Sequence, residues 1–274
     1  MDLDANHEAG QAKHSAAFVL PVRACKRRPN VVCAGVAMQS TDPSTQLRAA
    51  AEQGDLTTLQ QLAAQPGASL TATAAGGQQL VHLAAVNGRT EVLDWLAEQS
   101  GVSLTAADDQ GWQPVHYAMQ GRQFEALQWL AGRPGVSLPA PCLRGQQAVH
   151  FAARDGPLDV LCWLAVQPGV SLLAADADGW QPVHYAASTG QQMILNWLSH
   201  HSAINLAAAD QRGRQIVHIA ARSGQLEVLK WLARQQRVSF VAADADGLQP
   251  FDHAMHGGDA HTLQWLQRWA YWYQ

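Results

Sequence analysis

Apolar and polar positions along this chain recur every 34 residues, a period far longer than that of one helix or strand. Tryptophan falls at 95, 129, 163, 197, 231 and 265, and a leucine follows each one. Histidine at 82, 116, 150, 184 and 218 and glycine at 77, 111, 145, 179, 213 and 247 run in the same phase. Three columns in one register mark internal repeats. Gln46-Leu47-Arg48-Ala49-Ala50 and Gly54 extend the register backward, giving seven units that begin near 43, 77, 111, 145, 179, 213 and 247, the last of 28 residues.

Inside a unit the pattern predicts two short helices and a loop. In residues 111–144, Pro114 suits a first helical position, where its missing N–H would have had no partner anyway. That helix is expected to run to about Gly121. Phe124, Leu127 and Leu130 mark the apolar side of a second helix, which Pro134-Gly135 stops. An extended stretch, Val136 to Leu138, leads on to the next glycine. Neither helix can bury its apolar side alone, so the units must stack into an all-α solenoid.

A second period lies above the first. Units 145 and 213 agree at 22 of 34 positions, whereas the adjacent units 145 and 179 agree at 14. Pro114, Pro182 and Pro250, and the string GWQPVHYA at 111 and 179, occur only in alternate units. Blocks of 68 residues are the implied unit of duplication, and exposed chemistry is expected to alternate.

Asp108-x-x-Gly111-x-Gln113-Pro114-Val115-His116-x-Ala118 and Asp176-x-x-Gly179-x-Gln181-Pro182-Val183-His184-x-Ala186-Ala187 resemble the signature of the ankyrin repeat family, over residues 43 to 274. Each unit carries one extra residue near the end of the second helix. Gln stands at 79, 113, 147, 181, 215 and 249 where the family has Thr, and Gln is a poorer helix cap. The resemblance implies stacked helix-turn-helix units with hairpin-like loops, a histidine that braces the loop, and a concave face lined by the residue after each glycine. There the chain places Trp112 and Trp180, against Gln78, Gln146, Arg214 and Leu248 in the other units. Packing does not dictate that residue, so the two tryptophans are either recognition anchors or incidental exposed aromatics. The function so implied is a non-enzymatic scaffold binding another protein through Trp112, Trp180, Arg144, Asp178 and Arg212. A self-assembling protein and a host-directed bacterial effector with a minor site in the last unit are the alternatives.

Composition narrows this further. Charged residues are 15% of the chain and the net charge is -4, which argues against a nucleic-acid-binding basic face. The longest apolar runs are too short to cross a bilayer. Four cysteines without a CxxC pair suit a reducing compartment, hence a cytoplasmic location, with delivery into a host cell as the alternative. No phosphate loop or hydrolase motif is present and no cofactor is expected. The periodic histidines sit about 10 Å apart in a stack, too far for a shared metal; Asp252, His253, His256 and His261 form either a metal site or a loosened end cap. The tryptophan column is expected in the core between units. Residues 1 to 42 lie outside the repeats and are read as largely disordered or not part of the functional chain, which would then start near Met38; Lys26-Arg27-Arg28 is a weak basic run. Trp265, Trp269 and Tyr273 form a stripe that either caps the stack, leaving a monomer, or joins two chains end to end.

Overall fold

A computed structural model describes residues 42–272, with side chains described as far as Trp269. The readings placed on residues 1–41, including Met38 and the basic run, and on the side chains of Trp272 and Tyr273 lie outside the described residues. Among the described residues fourteen helices follow one another in seven pairs: α1 (Pro43–Gln53) and α2 (Leu56–Ala63), α3 (Leu80–Val86) and α4 (Thr90–Ala97), α5 (Pro114–Gln120) and α6 (Phe124–Ala131), α7 (Ala148–Asp155) and α8 (Leu158–Ala165), α9 (Pro182–Thr189) and α10 (Gln192–Ser199), α11 (Ile216–Arg222) and α12 (Leu226–Leu232), α13 (Pro250–Gly257) and α14 (Ala260–Trp272). The only strand-like feature among the described residues is a bridge between Ala209 and Gln215.

Helices of seven or eight residues are too short to persist alone, and their stability comes from stacking. The first helices of successive units form an inner row and the second helices an outer row, each helix against its counterpart in the next unit. Alanine fills the contact in the inner row, where Ala84, Ala118, Ala152, Ala186 and Ala220 have no exposed surface. In the outer row Leu93, Leu96, Leu127, Leu130, Leu161 and Leu164 are fully buried.

The tryptophan column departs from the expected core. Trp231 is buried, but Trp95, Trp129, Trp163, Trp197 and Trp265 are half-buried on the flank of the outer row. Leu96 shares its face with buried Val92 and Leu93, while Trp95, one position and about 100° away, lies over exposed Glu91. The leucines make the core and the tryptophans cover its edge.

The 68-residue period is physical. Inner helices approach most closely in alternate pairs, α3 with α5, α7 with α9 and α11 with α13. At the first of these Gly121 lies so near the Val86 carbonyl that a Cβ would sit 1.9 Å from its oxygen. Thr189 holds the equivalent place in the second and donates its hydroxyl to Arg154 O at 2.7 Å. Gly257 meets Arg222 O in the third. At the far end Trp265 and Trp269 stack on Phe240 of the preceding unit, with ring centroids 5.8 and 4.6 Å away.

Candidate binding surface

Each inner helix from α3 to α11 begins at an extended glutamine whose backbone N–H donates to Nδ1 of the histidine three residues on, as Gln113 does to His116 at 2.9 Å. The histidine takes the place of the acid in a capping box, satisfying the glutamine's own N–H. Because Nδ1 accepts, Nε2 carries the proton and donates to a carbonyl 24 residues later, Ala106, Ala140, Ala174, Ala208 or Ala242, at 2.8 to 3.1 Å. Burial pushes all five imidazoles below their ordinary pKa, and the neutral tautomer is the one these bonds require. Each histidine therefore ties a helix start to the hairpin stem behind it. Among the described residues no three metal-ligating side chains converge, in the last unit or elsewhere.

Aspartates order the hairpins. Oδ1 of Asp108, Asp176, Asp210 and Asp244 each accepts the N–H groups two and four residues on, including those of Trp112 and Trp180. Oδ2 takes a partner from the helix or loop that follows: Tyr117 OH at 2.6 Å for Asp108, Tyr185 OH at 2.5 Å for Asp176, and His253 Nε2 at 2.7 Å for Asp244. Gln78 and Gln146 of the preceding units donate to those two tyrosines. Burial and then the adjoining carboxylate push both phenols well above the usual range, so they remain donors. At 74 and 142 this column holds Ala and Cys instead.

The hairpin tips join into one strip. Asp109, Leu143, Ala177, Gln211 and Ala245 donate backbone N–H groups to Gly76, Gln110, Arg144, Asp178 and Arg212 O at 2.9 to 3.1 Å. Gly145, at φ 74°, turns so tightly beneath this strip that a Cβ would come within 2.8 Å of Ala177 N. Arg144, Asp178 and Arg212 thus occupy equivalent places in successive units, backbones tied and side chains exposed.

Trp112 and Trp180 are not the freely exposed residues expected. Both are half-buried and pack on the core. Trp112 stacks on its own Tyr117 at 5.6 Å and edge-on to Phe151 of the next unit at 5.0 Å. Trp180 lies on Tyr185 at 5.2 Å, donates Nε1–H to Asp210 Oδ2 at 3.0 Å, and has the Arg214 guanidinium 5.8 Å from its ring. Arg214 closes an ion pair on that same Oδ2 at 2.6 Å. Burial works to raise the Asp210 carboxyl, but the hydrogen bonds and charge of Arg214 hold it below the ordinary value. Sequence reasoning missed the Asp, Tyr and Gln partners. The signal was there, since Gln78 and Gln146, Asp108 and Asp176, and Tyr117 and Tyr185 each repeat at 68 residues.

The family described as ankyrin repeats (3 copies) matches residues 47–142, and that described as ankyrin repeats (many copies) matches 183–233 and 217–267. Among curated proteins no match was found. Solved structures that resemble the chain include the ankyrin repeat domain of Bcl-3, a member of the IkappaB protein family, with 23% identity and a TM-score of 0.59 over 83% of this chain and 99% of that one. Another is a chain from the complex of the predatory endopeptidase Bd0816 of Bdellovibrio bacteriovorus with the immunity protein Bd3460, at 19% identity and a TM-score of 0.59 over 70% of this chain and 99% of the other. The two solved structures share the fold, and the matched residues of the two family models establish that this chain belongs to the ankyrin repeat family.

Proposed function

We propose that the chain is a non-catalytic scaffold that binds another protein across the face built from the hairpin tips and the inner helices, with residues 43–274 as the binding domain. Ankyrin repeats generally mediate protein–protein interaction. The observation that carries this reading is the strip itself. Its backbone is pinned unit to unit, while Arg144, Asp178 and Arg212 on it are exposed, differ in charge, and have no ion pair among the described residues. A rigid platform with unpaired, unequal charges loses little entropy on binding and discriminates by charge. Trp112 and Trp180 flank that strip as half-buried aromatics, a residue type enriched at binding hot spots. The stacking of Trp265 and Trp269 on Phe240 supports a monomer over an end-to-end dimer. No described helix is long and apolar enough to cross a membrane, and the compartment we favour is cytoplasmic.

The test is a quantitative pull-down with the full chain and with a variant carrying Arg144→Glu, Asp178→Arg and Arg212→Glu. Exposed substitutions change stability by only about 0.5 kcal/mol each, so the fold survives and the partner is lost. Recovery of the same proteins at equal strength by the variant contradicts the reading.

A further inference from the structure

Two hairpin tips lack aspartate, Ala74-Ala75-Gly76 and residues 138–144, Leu-Pro-Ala-Pro-Cys-Leu-Arg, whereas those at 108–109, 176–178, 210 and 244–246 carry it; thirty residues before the first stands Ser44, and thirty before Cys142 stands Trp112. Leu143 there is 73% exposed, packed through its backbone against Gly111, the residue before Trp112. Arg144 is exposed, with neither ion pair nor side-chain hydrogen bond among the described residues.

Beside this tip the indole of Trp112 has a donor left over. Thirty residues beyond Trp180 stands Asp210, which accepts its N–H; thirty beyond Trp112 stands Cys142, and no hydrogen bond joins the two. Trp112 Nε1 is not among the buried unsatisfied atoms, so it meets solvent. The N–H groups of Arg144 and Gln146, whose counterparts at 212 and 214 bind Asp210 Oδ1, also have no acceptor among the described residues. In the sibling cell the matching indole and backbone donors hold the Asp210 carboxylate, which is also paired by Arg214, the residue in register with Gln146. Asp109, the acid in register with Leu143, has Oδ1 beside Gly77 in the preceding hairpin.

We propose that the partner inserts an acidic, apolar peptide segment at this tip, its carboxylate received by Trp112 Nε1 and Arg144 and its aliphatic or aromatic side chain laid on Leu143. This rests on the binding-face reading above and names the chemistry of one position on it. Charge complementarity commits the site to an anionic segment: the one charged side chain of residues 138–144 is the cation Arg144, and the Trp112 indole and the N–H groups of Arg144 and Gln146 match the donors that Asp210 satisfies at the next copy.

The experiment presents the full chain to an array of octapeptides in a Gly-Ser frame whose two central residues run through all pairs. The strongest binders should pair Asp or Glu with Leu, Ile, Met or Phe, and the matching Asn or Gln peptides should bind tenfold or more weaker. Cys142→Asp supplies the missing carboxylate from within and should cut binding tenfold or more, and Trp112→Phe, which keeps a ring and loses the N–H, several-fold. Selection without an acidic preference, or equal binding by Cys142→Asp and Trp112→Phe, overturns the proposal. Peptides that ignore these two variants but are lost on the Asp178→Arg, Arg212→Glu double variant leave the binding face standing and remove only this site. No bound peptide, or binders indifferent to every one of these substitutions, removes both.

Discussion

The octapeptide GWQPVHYA occurs twice, at 111–118 and at 179–186, and the two copies build different sites. Both start an inner helix at proline, cap it with histidine and pair tyrosine with the preceding aspartate. At the second copy the hairpin that follows supplies Asp210 and Arg214, and the tryptophan is fastened by its N–H. At the first it supplies Cys142 and Gln146. Gln146 turns instead to Tyr185, and the indole N–H is left over. Identical local sequence fixes identical local structure here, and the chemistry presented is fixed by residues 30 and 34 positions away.

The largest expected effect is one the two copies share. Five histidines have folded-state pKa values depressed below the ordinary 6.5. Below that pH the unfolded chain takes up protons that the folded chain refuses, so their contribution is intact above about pH 6.5 and is lost as pH falls. Each costs up to about 1.4 kcal/mol per pH unit. Urea midpoints between pH 7 and 5, above the range where carboxylates titrate, should fall steeply; a flat profile contradicts buried neutral histidines.

Breaking the fastened copy comes next. Asp210→Ala strands a largely buried guanidinium, an indole N–H and two backbone amides, and should cost about 3 to 5 kcal/mol. Cys142→Ala removes only a small packed thiol and should cost about 1 kcal/mol. Equal losses in denaturant unfolding erase the difference between the copies. In the other direction, Cys142→Asp should gain about 1 to 2 kcal/mol by satisfying donors that now lack acceptors, seen as a raised urea midpoint.

The smallest difference lies in the turns that follow. After the second copy the chain turns through Gly190 at φ 78°; after the first it turns through Arg122 at φ 57°, the one non-glycine residue at positive φ among those described. Left-handed backbone costs a side-chain-bearing residue about 1 to 2 kcal/mol, so Arg122→Gly should recover up to about 1 kcal/mol, less the entropy glycine adds to the unfolded chain. A loss of stability means that the arginine side chain contributes more than the strain removes.

What could be read beforehand follows the same division. The helix pairs are legible in the 34-residue columns and the histidine brace in the resemblance to ankyrin repeats, because each depends on neighbours within one unit. The 68-residue period was visible in Pro114, Pro182 and Pro250, and its physical cause, the close approach of Gly121, Thr189 and Gly257 to a carbonyl, sits in alternate units too. Trp112 and Trp180 are half-buried although their position varies from unit to unit, so variation there does not mean freedom from packing. The position varies because its partner varies: Trp180 with Asp210, Trp112 with Phe151, Gln78 with Tyr117. Recurrence alone does not place the tryptophan column in the core, since the adjoining leucines hold the buried angle of the helix.

The central claim is that one tryptophan is fastened and its twin is not. Solvent exchange of the indole N–H protons, followed by 1H–15N spectra with Trp112→Phe and Trp180→Phe for assignment, reads this directly. Trp180 should exchange at least about tenfold more slowly than Trp112, as expected for a donor in a charge-assisted hydrogen bond, and Cys142→Asp should slow Trp112 to match. Equal rates in the unaltered chain, or a slower Trp112, would contradict the account.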